Sequence, residues 1–426
     1  MSAWEEGQFS RGSHHLEADG VSLDDIAAAV GTPTYVYSAP AIRAAVTRLQ
    51  HAFADRDIGL RYAVKANSNL AILQLMQSLG TGFDIVSGGE LSRVLAAGGD
   101  PGTVVFSGVG KKIEEIDLAL KVGIECFNIE SAAELERVSG RAGLLNLVAP
   151  ISLRVNPDVD AGTHPYISTG LKQNKFGIPM HSALALYQQA AADPHLRVMG
   201  IDCHIGSQIN TSAPLIEALR SVLALVDELR QQGIEVEHID LGGGMGVSYH
   251  DEVALDLEAY AAEVQQLMAR RPQRLLLEPG RCLVANAGVL LTRVEYLKPT
   301  ADDAPNFAVV DAAMNDLIRP ALYQAWHDVQ PVNLHPTGSP SRWDIVGPVC
   351  ESGDFLARER DLCLTPGMLL AVASAGAYGM VQASNYNSRG RACEVLVDAH
   401  QFRVIRRRET IQDQLRLEFE LPGVAQ

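Results

Sequence analysis

The stretch Gly59–Asn67, GLRYAVKAN, alternates apolar and polar residues like a strand entering a sheet, and then places a lysine at its end. A lysine leaving the core at a strand end is ordinarily just solvated. Lys65 gains a different meaning if other strands also end in polar groups and the fold gathers those ends.

Seven further apolar runs follow: Gly82–Val86, Thr103–Ser107, Glu125–Ile129, Ile151–Asn156, Arg197–Ile205, Val236–Gly244 and Arg274–Gly280. Helical patterns such as LAILQLMQSLG and APLIEALRSVLALVDELRQQG separate them. Eight βα units over about 230 residues fit a (β/α)8 barrel, although an open doubly wound sheet has the same rhythm. The strand ends favour the barrel. In order they carry Lys65, Asp84, Ser107, Asn128, Arg154, His204, the glycines Gly242–Gly244, and Glu278 with Arg281. Only a closed sheet brings eight such ends around one mouth. From about Ala287 short alternating runs take over, among them GVLLTRVEYLK, RWDIVG and CEVLVDA, with turn residues between them. They read as an all-β domain, a sandwich or small barrel. The expected organisation is a barrel over 37–285 and a β-sandwich or β-barrel domain over 286–426, with residues 1–36 packing on the latter.

Composition narrows the class. The chain has 426 residues, of which 47% are hydrophobic and 20% charged, so two globular domains are expected rather than disorder. Its net charge of −16 disfavours nucleic acid and anionic membranes as partners. Six scattered cysteines without a C-x-x-C pair argue against a zinc site and fit a reducing cytoplasm. The polar start MSAWEEGQFSRGSHHLEADG has no apolar run of the signal-peptide kind, and no stretch approaches the roughly 20 residues that span a bilayer. A soluble cytoplasmic protein is expected, with no role assigned to residues 1–20.

Three groups at the barrel mouth suggest one cofactor. DLGGGMGV (Asp240–Val247) follows the seventh strand, where many barrels bind phosphate on a glycine turn. LEPGR (Leu277–Arg281) adds backbone and a cation after the eighth. Glu278 beside a phosphate site makes sense if it keeps a pyridinium nitrogen protonated; a salt bridge to Arg281 is the alternative. With Lys65 as an amine, these suggest pyridoxal phosphate. His204 could stack on its ring or be an ordinary core histidine.

Nine ordered motifs then carry a resemblance. They are YAVKAN (62–67), FDIVSGGEL (83–91), HPYISTG with NKFGI (164–178), HIGSQI (204–209), LGGGMGV, LEPGR, MNDLIRPALY (314–323), GPVCESGDFLA (347–357) and GAYGMVQASNYN (376–387). The chain resembles the fold-type III pyridoxal-phosphate decarboxylases, whose barrel is alanine racemase-like, and within them the branch acting on diaminopimelate. The resemblance implies that Lys65 is the Schiff-base lysine and that His204 stacks on the ring. It implies that Ser207, Gly243, Gly244 and the segment Glu278, Pro279, Gly280, Arg281 bind the cofactor, with Glu278 on the ring nitrogen. Asp84 and Arg154, as strand-end groups, join that set. Arg281, Arg319 and Tyr323 match substrate contacts, and Tyr378 one that touches both substrate and cofactor. Cys350 and Glu351 match a pair supplied by the second subunit of a homodimer. Cys350 would be the proton donor, a role for which a thiol is suited near neutral pH, although a free cysteine is often only a small buried hydrophobe. The implied reaction is decarboxylation of meso-diaminopimelate to L-lysine, with no metal. Arginines suit its distal carboxylate and Glu351 its distal ammonium. A decarboxylase of another basic amino acid (ornithine, arginine or lysine), a racemase, or a non-catalytic cofactor-binding protein are the rival readings.

Overall fold

The computed structural model describes residues 3–160, 169–170, 174–300 and 305–419. Two compact units are present: residues 43–248 with 252–283, and residues 1–42 with 249–251 and 284–426.

The first unit is a closed parallel ring. Its strands are β1 (Ile58–Ala63), β2 (Gly82–Ile85), β3 (Val104–Phe106), β4 (Cys126–Ile129), β5 (Ala149–Asn156), β6 (Leu196–Asp202), β7 (His238–Asp240) and β8 (Arg274–Leu277). Each pairs in parallel with the next, and β8 returns to β1 through Leu275–Ile58, Leu276–Gly59 and Leu277–Leu60. All eight expected strands are present and the sheet closes, which excludes the open doubly wound alternative. The helices between them start where the sequence supplies caps. Asn69, Ser87, Ser131 and Asp256 each accept a backbone N–H of the first turn. Gly123 and Asn146 end two of them in the left-handed conformation. Tyr62, Phe83, Phe106 and Phe127 are fully buried in the ring, with Phe106 and Phe127 stacked at 6.1 Å.

The second unit is mainly β. Its longest strand, Gly288–Lys298, pairs antiparallel with Thr34–Ser38, Asn306–Val310 and Leu369–Val372. Thr34–Ser38 also pairs in parallel with Cys393–Asp398. The sequence reading contains no strand at Thr34–Ser38. All five of its residues are buried, so it lacks the alternation that marks a half-exposed strand. Near the N-terminus, three short strands, Phe9–Arg11, Leu16–Ala18 and Val21–Ser22, form a small sheet, and Phe9, Leu16 and Ala18 join the core of Val36, Val289, Leu291 and Val395. Residues 3–20 thus have a packing role that their polarity hid. Among the described residues no helix is long and apolar enough to cross a membrane.

Arg56 secures the ring where it closes. Its guanidinium donates to the carbonyls of Met268 (2.9 Å), Arg271 (3.0 Å) and Gln273 (2.6 Å), which fixes the turn entering β8 beside the chain entering β1. Hydrogen bonds from a charged donor are the stronger kind, so Arg56→Ala is expected to lower unfolding stability by about 2–3 kcal/mol. Chemical denaturation measures this; an unchanged midpoint would show that the turn holds itself.

Candidate active site

Lys65 leaves β1 on a tight 3-10 turn, Val64–Ala66. The turn is pinned from both sides. The Tyr62 hydroxyl donates to the Asn67 carbonyl (3.0 Å), and Asn67 Oδ1 accepts the N–H of Asn69 (3.1 Å). The Ala63 N–H donates to the Pro279 carbonyl (3.0 Å), and a Cβ on Gly280 would stand 3.0 Å from that of Ala63. The segment Glu278–Arg281 is therefore packed directly against the turn that presents Lys65.

Lys65 Nζ lies 2.7 Å from Asp84 Oδ2. The lysine side chain is 36% exposed and the aspartate 0%, so the ammonium is held yet reachable. Lys111, which the sequence reading passed over, shows the contrast. Its side chain is wholly buried, and its ammonium donates to Gly108 O, Asn128 O and Glu134 Oε1 at 2.6–2.8 Å. Three acceptors occupy all three of its N–H groups, which makes Lys111 a structural lysine.

Glu278 sits among other acids. Its Oε1 accepts from Ser107 Oγ (3.4 Å) and Asn128 Nδ2 (3.3 Å), and Asn128 also donates to Ser107 (3.1 Å). Carboxylate oxygens of Asp202, Asp240 and Glu278 lie within 4.8 Å of one another. Burial, and then the charges of Asp240, Asp84 and Asp202, push Glu278 well above the carboxylate range. Burial pushes Asp240 up to about 7, against the N–H of Gly242. Asp202 is raised by burial and by Asp240, against Arg154, whose Nε stands 3.9 Å from its carboxylate. Arg154 also pairs with Glu130 at 3.2 Å. Asp84 Oδ1, Asp202 Oδ1 and Asp240 Oδ2 are buried with no hydrogen-bond partner among the described residues. A cation placed here relieves both the crowding and the desolvation.

The loops after β6 and β7 are zipped together. Ile209 donates to the Gly244 carbonyl (2.9 Å) and Gly246 to that of Ile209 (3.0 Å). Gln208, in the left-handed region at φ +63°, exchanges two hydrogen bonds with the backbone of Val247. A Cβ on Gly243 would collide with the Glu278 carbonyl, and one on Gly244 (φ +95°) with that of Gly206. The glycines are thus required by close approach. His204 Nδ1 accepts the N–H of Gly243 (3.1 Å), so the ring hydrogen is on Nε2. Burial, with the charges of Arg154 and Lys65, lowers the His204 pKa well below its usual value, which keeps it neutral. Ser207 Oγ accepts from Arg281 Nη2 (3.0 Å). In HPYISTG, residues 164–168 lie outside the described residues; Thr169 donates through Oγ1 to the His204 carbonyl (2.9 Å).

The other five expected site residues belong to the β-rich unit. Arg319 opens the short helix Arg319–Tyr323 and is buried, with Nη1 2.8 Å from His327 Nε2. Tyr323 Oη accepts from Gln382 Nε2 (3.4 Å). Cys350 is exposed and its N–H donates to Asn387 Oδ1 (3.0 Å). The Glu351 carboxylate engages the Tyr386 hydroxyl, and that bond raises the tyrosine's pKa. Tyr378 holds a left-handed backbone at φ +54°. Asp354, not singled out by sequence, joins two of the motifs: its carboxylate accepts the N–H groups of Met314 (2.6 Å) and Val349 (2.8 Å). The signal was the buried aspartate in CESGD, read there only as context for the cysteine.

The barrel's geometry suits a group bearing an aldehyde, a phosphate and a protonated ring nitrogen. The family model for the pyridoxal-binding domain of pyridoxal-dependent decarboxylases matches residues 40–285. The diaminopimelate decarboxylase of Pseudomonas aeruginosa is 57% identical over 409 residues, 95% of this chain and 97% of that one. The Helicobacter pylori diaminopimelate decarboxylase complexed with L-lysine superposes with a TM-score of 0.89 at 42% identity, covering 92% of this chain and 98% of the other. The M. jannaschii enzyme in co-complex with L-lysine gives 0.93 at 36% identity, covering 98% and 99%. The chain belongs to the pyridoxal-dependent decarboxylases, in the diaminopimelate decarboxylase family. Its cofactor is pyridoxal phosphate. Two features fit that group: Lys65 could take the aldehyde and the carboxylates with unpartnered oxygens the ring cation.

Without cofactor, the acid cluster has a pH signature. An unfolded Asp240 ionises near pH 3.9, whereas the folded one keeps its proton up to about 7. Between those values the folded state binds the extra proton, so stability falls as pH rises through that window and levels off above it. The lowered pKa of His204 acts oppositely, removing stability as pH falls below about 6.5. In the cofactor-free protein, Asp240→Asn should flatten the decline in melting temperature between pH 5 and pH 7. A decline of the same steepness in the variant would place its origin elsewhere.

Proposed function

We propose that this chain decarboxylates meso-diaminopimelate to L-lysine and carbon dioxide as the last step of lysine biosynthesis, and that it does so in the cytoplasm as a homodimer. The observation that carries the chemistry is a reachable Lys65 ammonium beside carboxylates crowded until a cation joins them. The relatives' substrate supports the choice of amino acid.

Bound pyridoxal phosphate supplies an aldehyde for amines and a protonated ring that accepts the electron pair left when carbon dioxide departs. The chain's residues do the rest. Lys65 Nζ would be the amine that anchors the aldehyde, and Asp84 would hold its ammonium whenever the lysine is not so engaged. Glu278, whose carboxylate Ser107 and Asn128 orient, would keep the ring nitrogen protonated. His204, neutral in its buried position, would lie against the ring and add no competing cation. Gly243, Gly244, Ser207 and the segment Pro279–Arg281 would take the phosphate side. Arg154 supports the site through Glu130 and Asp202.

Arg319 takes the distal carboxylate, with Arg281, Tyr323 and Tyr378 as further substrate contacts, and Glu351 takes the distal ammonium. Cys350, an exposed free thiol, delivers a proton to the α-carbon once carbon dioxide has left. Its exposure within one chain accords with a role in the site of a second copy, together with Glu351.

Carbon dioxide release across a panel of diaminopimelate, ornithine, arginine and lysine tests the substrate. Arg319→Ala should raise KM for diaminopimelate at least tenfold, on the order of one charge-assisted hydrogen bond, while bound cofactor absorbance persists. An unchanged KM removes Arg319 from the distal carboxylate. The shared site has its own test. Lys65→Ala and Cys350→Ala are each expected to be inactive, and a mixture that has exchanged subunits should regain about a quarter of wild-type activity, the share of intact sites when each needs one residue from either copy. No recovery would mean that each site is built from one chain.

A further inference from the structure

His327 lies eight residues beyond Arg319 and belongs to none of the motifs that carry the family resemblance. It is 0% exposed, and Arg319 is 6% exposed. A guanidinium has only donors, so the 2.8 Å contact makes His327 Nε2 the acceptor of an Arg319 N–H. The ring's hydrogen is then on Nδ1, which donates to the Ala373 carbonyl at 2.8 Å. Both ring nitrogens are committed, and the tautomer is set by a main-chain group.

The ring's own position is fixed from several sides. Its backbone carbonyl accepts from Arg360 Nη2 (3.1 Å), and Ala373 N–H donates to the carbonyl of the next residue, Asp328 (2.9 Å). The preceding residue, Trp326, meets two groups: the Arg360 guanidinium carbon stands 3.1 Å from its ring centroid and the tilted His250 ring 4.0 Å from it. Tyr249 completes the arrangement, edge-on to His327 at 5.5 Å and beneath the Arg319 guanidinium at 4.5 Å. The chain returns to this point through Gln324, whose left-handed backbone (φ +52°) caps the helix and donates to the Arg319 carbonyl.

We propose that His327 is a positioning residue for substrate specificity: as a neutral acceptor it locks the orientation in which the Arg319 guanidinium takes the distal carboxylate. This rests on the assignment of Arg319 made above. The chemistry of the partner is what matters. A carboxylate at this place would align the guanidinium equally well, but it would also neutralise the charge and compete with the substrate's own carboxylate. An imidazole fixes one N–H without adding a negative charge beside the guanidinium. The Tyr249 face likewise attracts the cation without being an anion. A guanidinium held in one plane loses less freedom when it forms a bidentate pair, so the gain appears in substrate affinity.

The test uses the full-length holoenzyme and steady-state kinetics with diaminopimelate. His327→Phe should raise KM about tenfold or more, with kcat within about threefold of wild type and the absorbance of bound cofactor unchanged. His327→Gln, whose amide oxygen can accept the same N–H, should recover most of the loss. In an Arg319→Ala background, His327→Phe should add nothing further. Full additivity in the double variant, or a fall in kcat at unchanged KM, would overturn the proposal. So would failure of His327→Gln to restore KM while it retains wild-type melting temperature and cofactor content. If Arg319→Ala alone leaves KM unchanged, it is the parent assignment that fails. If Arg319→Ala raises KM and His327→Phe does not, only the positioning role fails.

Discussion

Closing β8 onto β1 forces the C-terminal ends of eight strands toward one mouth, and most of the barrel's unusual chemistry follows from that constraint. Each polar strand end would be unremarkable on an open sheet. Brought together in a desolvated interior, Asp202, Asp240 and Glu278 are all pushed above the usual carboxylate range. Lys65 and Arg154 offset part of this, which is why they too are held at short range by carboxylates. The barrel without its cofactor is therefore an electrostatically frustrated structure. Any cation bound among Asp202, Asp240 and Glu278 would offset this crowding, and its binding would then be linked to barrel stability.

What could be read from the sequence depended on whether a residue's signal was local. The barrel strands announced themselves because each apolar run stops at a polar residue, as Val64 gives way to Lys65 and Leu277 to Glu278. The glycine turn was read as a phosphate cradle, whereas its packing of Gly243 and Gly244 against the carbonyls of Glu278 and Gly206 had no signal in the sequence. Thr34–Ser38 was not, because a strand buried on every residue has no period. Asp354, Gln208 and His327 act through contacts to residues 40, 39 and 8 positions away, which no local pattern encodes. Lys111 illustrates the same limit from the other side. Its composition is that of Lys65, and only three acceptors spaced along the chain up to Glu134 show that it is structural.

The supporting groups follow a common plan in both units. Candidate site residues in each unit are oriented by neighbouring side-chain or main-chain groups. Gly243 N–H fixes neutral His204, Asn128 and Ser107 orient Glu278, and a main-chain carbonyl fixes the tautomer of His327 beside Arg319. Charged partners appear where charge is to be held in reserve, as for Lys65 on Asp84. Groups held this way in either unit need little reorganisation to meet a ligand.

Tyr378 shows what such preorganisation costs. A non-glycine residue at φ +54° carries strain of about 1–3 kcal/mol, which persists only where the surroundings allow no alternative. The segment GAYG meets that condition. A Cβ on Gly376 would collide with the Val284 carbonyl, and one on Gly379 would stand 2.6 Å from that of Ala375. Gly376 N–H donates to the Ala285 carbonyl (3.0 Å), and Ala375 N–H to that of Gly288 (2.8 Å). The chain before the tyrosine is thus tied to the main chain of Ala285 and of Gly288, the first residue of the unit's longest strand. Gly379, after it, packs against the Ala375 carbonyl and Tyr35.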